Sequence, residues 1–354
     1  MIKYYTRACN FYYGTLAKKL IKKNLALPLC GSNSTAFDSL EIFLRKNNFV
    51  KSKIINIKQL NTLSKKEKLS VKKDLQKIIS KRRNFLKNVN FSNTSIMGIL
   101  NLTPDSFSDG GRYIKTREAL KHIRRMINSG ANIIDVGGES TRPGAKTVHP
   151  KIEWKRVKNI LKKFNSMFKN ICLSVDTRKS EVMIKSLKYR ADLINDVSGF
   201  TYEKNSLTNL KIKNAVKILH HMQGTPKTMQ KNPKYQNVLL DIYDFFEKNI
   251  NSNQLGKKLI LDPGIGFGKT LKHNLTLISK ISLFHSLGLP ILVGTSRKRF
   301  INQISGVYDS KERTGGTLAS VIYLLSQGVQ IFRVHNVKEV KQGILVFKKI
   351  LKSK

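Results

Sequence analysis

The sequence predicts an α/β protein, namely a (β/α)8 TIM barrel with a small N-terminal extension domain. Three observations lead to this prediction: short apolar runs recur after residue 94, helical patterns separate them, and polar or glycine-rich clusters follow them. Strands that alternate with helices form parallel sheets through right-handed crossovers. An open doubly wound sheet is the main alternative, but eight repeats without a dominant first-turn GxGxxG favour closure.

The predicted strands are apolar almost throughout, as expected for strands that are buried on both faces. They are "SIMGIL", "NIIDVGGES", "ICLSVDT", "DLINDVS", "VKILHHMQ", "KLILDPGIG", "PILVGTSRK" and "QIFRVHN". The intervening segment 152–168 repeats its apolar residues near a 3.6-residue period, which predicts a helix. "VLLDIYDFFEKNI" and "LASVIYLLSQG" show the same period, and Gly328 predicts the end of the latter helix.

The length of the chain predicts one barrel and an appended segment. The chain has 354 residues, and a barrel of this class uses about 250. We expect residues 1–93 to form the extension, as a small α or α+β unit followed by a basic helix, and residues 94–354 to form the barrel. Residues 1–93 contain no pattern that indicates chemistry.

The net charge is +44, from 66 Lys and Arg against 22 Asp and Glu. Basic surfaces can bind nucleic acid by neutralising phosphates. The lysines are spread over the whole chain, however, and no RRM, zinc-finger or helix-turn-helix pattern is present. We therefore expect no nucleic-acid partner, and a positive field that attracts a phosphorylated or carboxylated small substrate.

The cysteines and the amino terminus favour a cytoplasmic protein. Cys9, Cys30 and Cys172 show no CxxC spacing, which argues against a disulfide scaffold or a zinc site and suits a reducing compartment. The start "MIKYYTRACNFYYG" lacks the apolar core of a secretory signal, and its many tyrosines and few serines argue against a transit peptide. No apolar run is long enough to span a bilayer, so we expect no membrane contact.

Polar side chains stand at the carboxyl ends of the predicted strands, where barrel enzymes place their catalytic groups. Any one of them could be an ordinary strand-end group, but so many at the same edge predict a single site. They are Asp135, Asp176, Asn195 or Asp196, Met222, Asp262, Lys298, Arg333 and His335.

Asp176, Asn195 and Asp262 can form a hydrogen-bonding set. Carboxylates accept hydrogen bonds from ring N–H and amino groups, whereas asparagine both donates and accepts, so the set suits the guanidine-like edge of a heterocycle. A metal cluster is the other interpretation. The separation of the three motifs and the lack of a histidine beside them favour the heterocycle.

Basic groups at the last strand ends predict an anion site. Lys298, Arg333 and His335 suit phosphate or carboxylate, and "ESTRPGA" adds Thr141 and Arg142 around an anionic leaving group. Asn101, the first residue of "NLTPDSFSDGG", stands at the end of a different predicted strand. Its side-chain oxygen could assist directly or as a ligand of Mg²⁺, a hard cation that binds oxygen.

Two other patterns are rejected as sites. "DPGIGFGKT" lacks the spacing of a phosphate-binding P-loop, because Pro263 stands where the first glycine is required. His220 and His221 are adjacent on a predicted strand and therefore face opposite sides, so we expect both to be structural.

Eight motifs in order, from about residue 94 to about residue 350, resemble dihydropteroate synthase. They are "IMGILNLTPDSFSDGG", "IDVGGESTRPGA", "SVDT", "INDVSG", "HMQGTP", "LDPGIGFGK", "GTSRKRF" and "RVHN". The start, with "YYTR" and "STAFDSLEIFLR", resembles more weakly the extension of a longer variety of the family. The resemblance implies that 6-hydroxymethyl-7,8-dihydropterin diphosphate and 4-aminobenzoate are condensed to 7,8-dihydropteroate and diphosphate for folate biosynthesis. It also implies a barrel that uses Mg²⁺ and forms a homodimer.

The resemblance also implies the role of each site residue. The pterin-binding set is Asp135, Asp176, Asn195, Met222, Asp262 and Lys298. The diphosphate set is Asn101, Arg333 and His335, of which Asn101 is also the metal ligand. The aminobenzoate set is Thr141, Arg142, Pro143, Phe267 and Ser296. The catalytic set is Asp176, Lys298, Asp262, Phe107 and Arg142. The loops "NLTPDSFSDGG" and "ESTRPGA" are expected to close over the substrates.

Two positions depart from the pattern of the family. Arg299 follows Lys298 where some members have a serine that contacts the aminobenzoate carboxylate, and Asn336 replaces a frequent aspartate. Both bear on how the anions are bound. The expected mechanism is dissociative: diphosphate departs, the carboxylates stabilise the pterin cation, and the neutral arylamine attacks. The alternatives are a pterin-binding methyltransferase-type barrel and a catalytically silent basic binding protein.

Overall fold

The computed structural model describes residues 2–103, 116–140, 145–203, 206, 215–252 and 254–352. The amino-terminal part is an antiparallel sheet in which the central strand pairs with the three others. Its strands are β1 (Ile2–Tyr13), β2 (Leu27–Pro28), β3 (Thr35–Lys46) and β4 (Phe49–Asn56), and its helices are α1 (Gly14–Lys22) and α2 (Lys65–Ile79).

Local sequence explains these elements. A two-residue turn joins β3 to β4, and Asn47 adopts a φ of +53°, a conformation that asparagine tolerates and tight hairpins require. Helix α2 begins with a capping box, in which the Ser64 hydroxyl accepts from the Glu67 amide while the Glu67 carboxylate accepts from the Ser64 amide. Its buried Val71, Asp74 and Ile78 face the sheet and the barrel.

Eight parallel strands form the second sheet. They are β5 (Ser95–Asn101), β6 (Ile133–Gly137), β7 (Cys172–Asp176), β8 (Leu193–Asp196), β9 (Val216–His220), β10 (Leu259–Asp262), β11 (Leu292–Val293) and β12 (Ile331–Val334). A parallel bridge between Leu261 and Ile291 joins β10 to the start of β11, the two ends of the strand order. The sheet therefore closes, and the predicted (β/α)8 barrel is confirmed over the open sheet.

Helices cover the outside of the barrel. They are α3 (Thr116–Asn128), α4 (Pro150–Met167), α5 (Ser180–Lys188), α6 (Val238–Ser252), α7 (Leu271–Ser279), α8 (Arg299–Ser305), α9 (Thr314–Ser326) and α10 (Val337–Lys352). Helix α4 begins with His149 as its cap and Pro150 in its first turn. Within the part of the chain that the structure describes, none of the helices combines the length and apolar character needed to cross a bilayer.

Buried apolar side chains fill the barrel interior at its amino-terminal end. A cluster of buried apolar side chains takes members from every strand of the barrel: Met97, Ile133, Cys172, Leu193, Val216, Ile218, Ile260, Leu292 and Ile331. Leu86, Val89 and Phe91, from the segment before β5, belong to the same cluster and close this end. The interior is therefore a packed core, and only the carboxyl-terminal end of the barrel is left to hold a site.

The amino-terminal sheet packs against the side of the barrel. Between them lies the 3₁₀ segment Ile281–Leu287, whose seven residues are all buried. Arg82 donates to the His285 carbonyl at 2.9 Å, and Nδ1 of His285 lies 3.3 Å from the Cys30 thiol. At the edge of the contact, Lys3 forms ion pairs with Asp244 and Glu247 of α6. The extension thus covers a face that a lone barrel would expose.

Candidate active site

Strand alternation explains which polar side chains enter the barrel. Side chains two residues apart on a strand share a face. The apolar cluster residues Ile133, Leu193, Ile218, Ile260 and Ile331 are each followed two positions later by a polar residue on the same face. These polar residues are Asp135, Asn195, His220, Asp262 and Arg333. The apolar floor of the barrel is thus capped by a polar layer.

A cavity of about 660 Å³ opens above this layer. Of the predicted residues, its lining includes Asn101, Asp176, Asn195, Asp262, Phe267, Ser296, Lys298, Arg333 and His335. Asp135 and Met222 are not in the lining, and the lining methionine is Met229. Phe107, Thr141, Arg142 and Pro143 lie outside the described residues.

Arg333 joins two of the carboxylates. Its Nε donates to Asp135 at 2.7 Å, and one terminal nitrogen donates to Asp176 at 2.8 Å. Asp135 is fully buried and also accepts from the Asn195 side chain at 3.1 Å, so it orients its neighbours from beneath the cavity. Burial raises the pKa of Asp176 above its ordinary value, and the Arg333 guanidinium opposes that rise.

The structure distinguishes Asn195 from Asp196. Asn195 lines the cavity. Asp196 faces away from it and accepts from the Ser198 amide at 2.7 Å and from the Phe200 amide at 3.0 Å, holding the turn after β8. Of the two neighbours, Asn195 is therefore the residue available to a ligand.

Asp262 is fixed at both carboxylate oxygens. Its Oδ1 accepts from the Gly264 amide at 2.8 Å, and its Oδ2 lies 3.1 Å from Nδ1 of His220. Gly264 has a φ of +68°, and a Cβ there would lie 2.0 Å from the His221 carbonyl oxygen, so the turn requires glycine. The expectation that no histidine stands beside the acidic set is wrong, because His220 lies in the cavity lining next to Asp262.

Two lysines lie close enough to Asp262 to interact with its charge, Lys298 and Lys269. The Lys298 ammonium lies 3.9 Å from the ring centroid of Phe267, a cation–π contact. Burial and the nearby Arg333 charge lower the pKa of Lys298 to about 7. Lys269, which sequence reasoning missed, donates to the Phe267 carbonyl at 2.9 Å, and burial lowers its pKa to about 7 as well.

The last two strand ends are linked by paired side chains. Nδ1 of His335 lies 3.0 Å from the Ser296 hydroxyl, and Arg297 donates two hydrogen bonds to the Asn336 side-chain oxygen, at 3.1 and 2.9 Å. The side-chain oxygen of Asn336 therefore serves as the acceptor for the Arg297 guanidinium. Arg299 is exposed and belongs to the cavity lining.

A buried ionic network supports the segment that leads from β6 to α4. Lys179, 2% exposed, bridges Glu139 and Glu153 at 3.0 and 2.6 Å, and Arg178 donates to Glu139 at 2.9 Å. Glu139 also accepts from the Val148 amide at 2.9 Å. Buried charges of this kind are stable only as a complete set, so the network fixes both ends of the segment that contains "STRPGA".

Comparison with known proteins places this geometry in a family. A family model described as "Pterin binding enzyme" matches residues 97–335. A dihydropteroate synthase of Escherichia coli K12 is 44% identical over 270 residues, which cover 75% of this chain and 95% of that protein.

Solved structures agree with the sequence comparison. A Yersinia pestis dihydropteroate synthase in a sulfonamide drug complex superposes with a TM-score of 0.71 at 41% identity, covering 74% of this chain and 96% of the other. A Xanthomonas albilineans dihydropteroate synthase with 4-aminobenzoic acid gives a TM-score of 0.68 at 33% identity, covering 74% and 94%. The chain therefore belongs to the pterin binding enzyme family, and within it to the dihydropteroate synthases.

Proposed function

We propose that the cavity joins 6-hydroxymethyl-7,8-dihydropterin diphosphate to 4-aminobenzoate, forming 7,8-dihydropteroate and diphosphate. One observation carries the proposal: acidic and amide side chains line the floor of a single cavity whose wall is basic. A pterin needs the first environment and a departing diphosphate needs the second, and the two must lie side by side for the reaction.

The pterin is held by Asp176, Asn195 and Asp262. The two carboxylates accept from the ring N–H and the exocyclic amine, whereas the Asn195 amide can donate as well as accept. Arg333 and Asp135 orient this set from below. The negative charge of the carboxylates also stabilises the positive charge that develops on the pterin when diphosphate leaves.

The diphosphate is bound by Asn101, Arg333 and His335. Lys298, which the resemblance assigns to the pterin, adds its ammonium to the same end of the substrate. Arg297, Arg299 and Arg313 add positive charge around the same cavity. When the bond from the exocyclic carbon to oxygen breaks, the electron pair leaves with the diphosphate, and these cations stabilise the charge that it acquires. Arg333 keeps its place in the diphosphate set: it lines the same cavity while its guanidinium is paired with Asp135 and Asp176.

Mg²⁺ suits this site as a partner of the diphosphate. The described residues contain no cluster of three or more His, Cys, Asp or Glu that could hold a metal by themselves. Mg²⁺ commonly takes only one or two protein ligands and completes its shell with phosphate and water. The side-chain oxygen of Asn101, at the end of β5, fits that role, and the ion would neutralise part of the diphosphate charge.

The 4-aminobenzoate occupies the side of the cavity next to Phe267 and Ser296. We assign Thr141, Arg142, Pro143 and Phe107, all outside the described residues, to the same substrate. Its neutral amine attacks the exocyclic carbon, forms the C–N bond and then loses a proton. An arylamine is nucleophilic without a strong base, so the site supplies position and exclusion of water.

We also propose that residues 1–93 form an appended unit, whose last part closes the end of the barrel of residues 94–354 through Leu86, Val89 and Phe91. We propose further that the protein works as a homodimer in the cytoplasm. The start of the family match at residue 97 supports the division. The dimer is an expectation that measurement of the molar mass in solution tests.

The decisive experiment incubates the purified chain with dihydropterin diphosphate, 4-aminobenzoate and Mg²⁺. We expect dihydropteroate and diphosphate in equal amounts, dependent on Mg²⁺, with an Asp262→Ala variant as the inactive control. Pterin binding without either product would favour a silent binding protein. Use of a methyl donor in place of 4-aminobenzoate would favour a methyltransferase-type barrel.

A further inference from the structure

His220 occupies the same level of the barrel as Asp262. The two residues end the neighbouring strands β9 and β10 and are paired in the parallel register. Both follow, two positions later, a residue of the apolar floor, Ile218 and Ile260 respectively. His220 is 5% exposed and lines the cavity, so it belongs to the layer that we assign to the pterin.

The contacts of the imidazole differ at its two nitrogens. Nδ1 lies 3.1 Å from Oδ2 of Asp262, whereas Nε2 is buried and has no hydrogen-bond partner among the described residues. A Cβ at position 264 would lie only 2.9 Å from Nε2, so the glycine backbone closely covers this nitrogen. The ring also meets Phe267 edge to face, with 4.7 Å between centroids. The side chain is therefore held in one orientation.

The surrounding charges keep the ring neutral. The charged or titratable groups that face it are Asp262, Lys269, Lys298 and the adjacent His221. Burial lowers the pKa of His220, the two lysines lower it further, and Asp262 only partly opposes them. Protonation would also place an N–H on Nε2 without an acceptor, which costs the desolvation penalty of an unsatisfied buried donor. The neutral ring with its hydrogen on Nδ1 fits these contacts.

This tautomer acts on Asp262. Oδ1 of the carboxylate accepts from the Gly264 amide and Oδ2 lies 3.1 Å from Nδ1 of His220, so rotation of the group would lose both contacts. Burial alone would raise the pKa of Asp262, but His220, the Gly264 amide and Lys298 together hold it below its ordinary value. Without His220, the carboxylate could rotate towards the ammonium groups of Lys298 or Lys269.

We propose that His220 is a positioning residue for Asp262, which holds this carboxylate in the orientation that receives the pterin and so determines affinity for that substrate. The inference rests on the proposed function, because it assumes that Asp262 binds the pterin. Preorganisation of this kind lowers the entropic cost of ordering the site when the substrate arrives.

The test compares three substitutions at one position. His220→Leu removes the donor, His220→Asn keeps an N–H near the Nδ1 position, and His220→Gln moves the N–H one bond farther out. Loss of a hydrogen bond to a charged group predicts that His220→Leu and His220→Gln raise the KM for dihydropterin diphosphate about tenfold. We expect His220→Asn to recover most of this loss, and the KM for 4-aminobenzoate to stay within about twofold of the wild type.

The acidic limb of kcat/KM should move to higher pH in His220→Leu, because the pKa of Asp262 rises when its donor is lost.

Ile218→Val is the matched control. It removes one methyl group from the same face of β9, one layer below His220, and does not change the contacts of Asp262. An unchanged pterin KM in His220→Leu overturns the inference, as does a His220→Asn enzyme that is as poor as His220→Gln. If the wild type forms no dihydropteroate, the proposed function fails, and calorimetric binding of 6-hydroxymethyl-7,8-dihydropterin to the same variants still decides the role of His220. If His220→Leu does not fold, the Asn and Gln pair makes the comparison.

Discussion

Tyr5 of the amino-terminal sheet and Tyr243 of the barrel helix α6 pack edge to face, with 5.1 Å between ring centroids and an angle of 83° between the rings. Both rings are almost fully buried. The Tyr5 hydroxyl lies 3.0 Å from the Asp244 carboxylate, which also meets Arg45 of β3 at 3.2 Å. The extension and the barrel therefore share a core as well as a polar rim.

This shared core predicts that Tyr5→Ala destabilises the whole protein. Truncation of a buried aromatic ring costs about 3–5 kcal/mol, and the Asp244 carboxylate also loses a donor. Urea denaturation followed by circular dichroism measures the change. Phe49→Ala is the control, because Phe49 lies in the same sheet but is 60% exposed, and it should cost less than about 1 kcal/mol. Equal effects of the two variants would contradict the shared core.

Removal of residues 1–80, which leaves Leu86, Val89 and Phe91 in place at the end of the barrel, should expose the buried segment Ile281–Leu287. We expect the truncated chain to aggregate or to melt at a lower temperature than the full chain, because a large apolar face loses its cover. Soluble yield and the melting temperature measure this outcome. A monodisperse truncated barrel with the kcat/KM of the full chain would show that the extension is dispensable.

The lowered pKa of Lys298 predicts that kcat/KM falls on the alkaline side of its pH profile. Because its pKa is lowered to about 7, the ammonium is present below that pH and is lost as the pH rises through it. The value of kcat/KM for dihydropterin diphosphate should therefore fall above about pH 7, as an anionic substrate loses its cation. A Lys298→Arg variant keeps its charge at all these pH values. We expect its profile to lack this limb even if its maximum is lower, and an identical limb in both enzymes would assign it to another group.

Arg333→Met should impair the site in a pH-dependent way. The substitution leaves Asp135 and Asp176 close together without the cation between them. Burial raises the pKa of Asp176 and Arg333 opposes that rise, so loss of Arg333 should raise this pKa further. The acidic limb of kcat/KM should then move to higher pH, and its maximum should fall by about 100-fold. An acidic limb that does not move would mean that Asp176 does not need its charge.

Lys179→Met tests the buried ionic network. Glu139 and Glu153 would lose their common partner inside the protein, and breaking such a set costs about 3–5 kcal/mol. Lys185→Met removes an exposed pair with Glu181 on the neighbouring helix α5 and should cost less than about 1 kcal/mol. Denaturant midpoints for the two variants measure the difference. Similar midpoints would show that the network contributes little to stability.

The barrel and most of its lining could be predicted because strand ends and motifs are local in sequence. Asp176, Asn195, Asp262 and Arg333 each end an apolar run, and the parallel sheet brings such ends together. The alternation of side chains along β8 gives information that the apolar run alone does not. It distinguishes Asn195, which faces the cavity, from Asp196, which accepts hydrogen bonds in the turn after the strand.

The missed residues depend on partners that are distant in sequence. His220 belongs to the site because the register pairs it with Asp262, which is 42 positions away; extending the alternation from Ile218 would have found it. Lys269 turns inward only because the loop after β10 folds back to place it beside His221. Nothing in the lysine-rich amino-terminal segment indicates that its strands would cover one particular 3₁₀ segment of the barrel.

The order of synthesis gives the shared core a further consequence. Tyr5 leaves the ribosome early, but Asp244, which its hydroxyl contacts, follows 239 residues later. At a synthesis rate of about 5–20 residues per second, roughly 12–48 s pass between the synthesis of Tyr5 and that of Asp244. During that time the apolar side of the sheet is open to chaperones or to neighbouring nascent chains. Shortage of folding assistance should therefore reduce the yield of this protein more than that of a barrel without an extension.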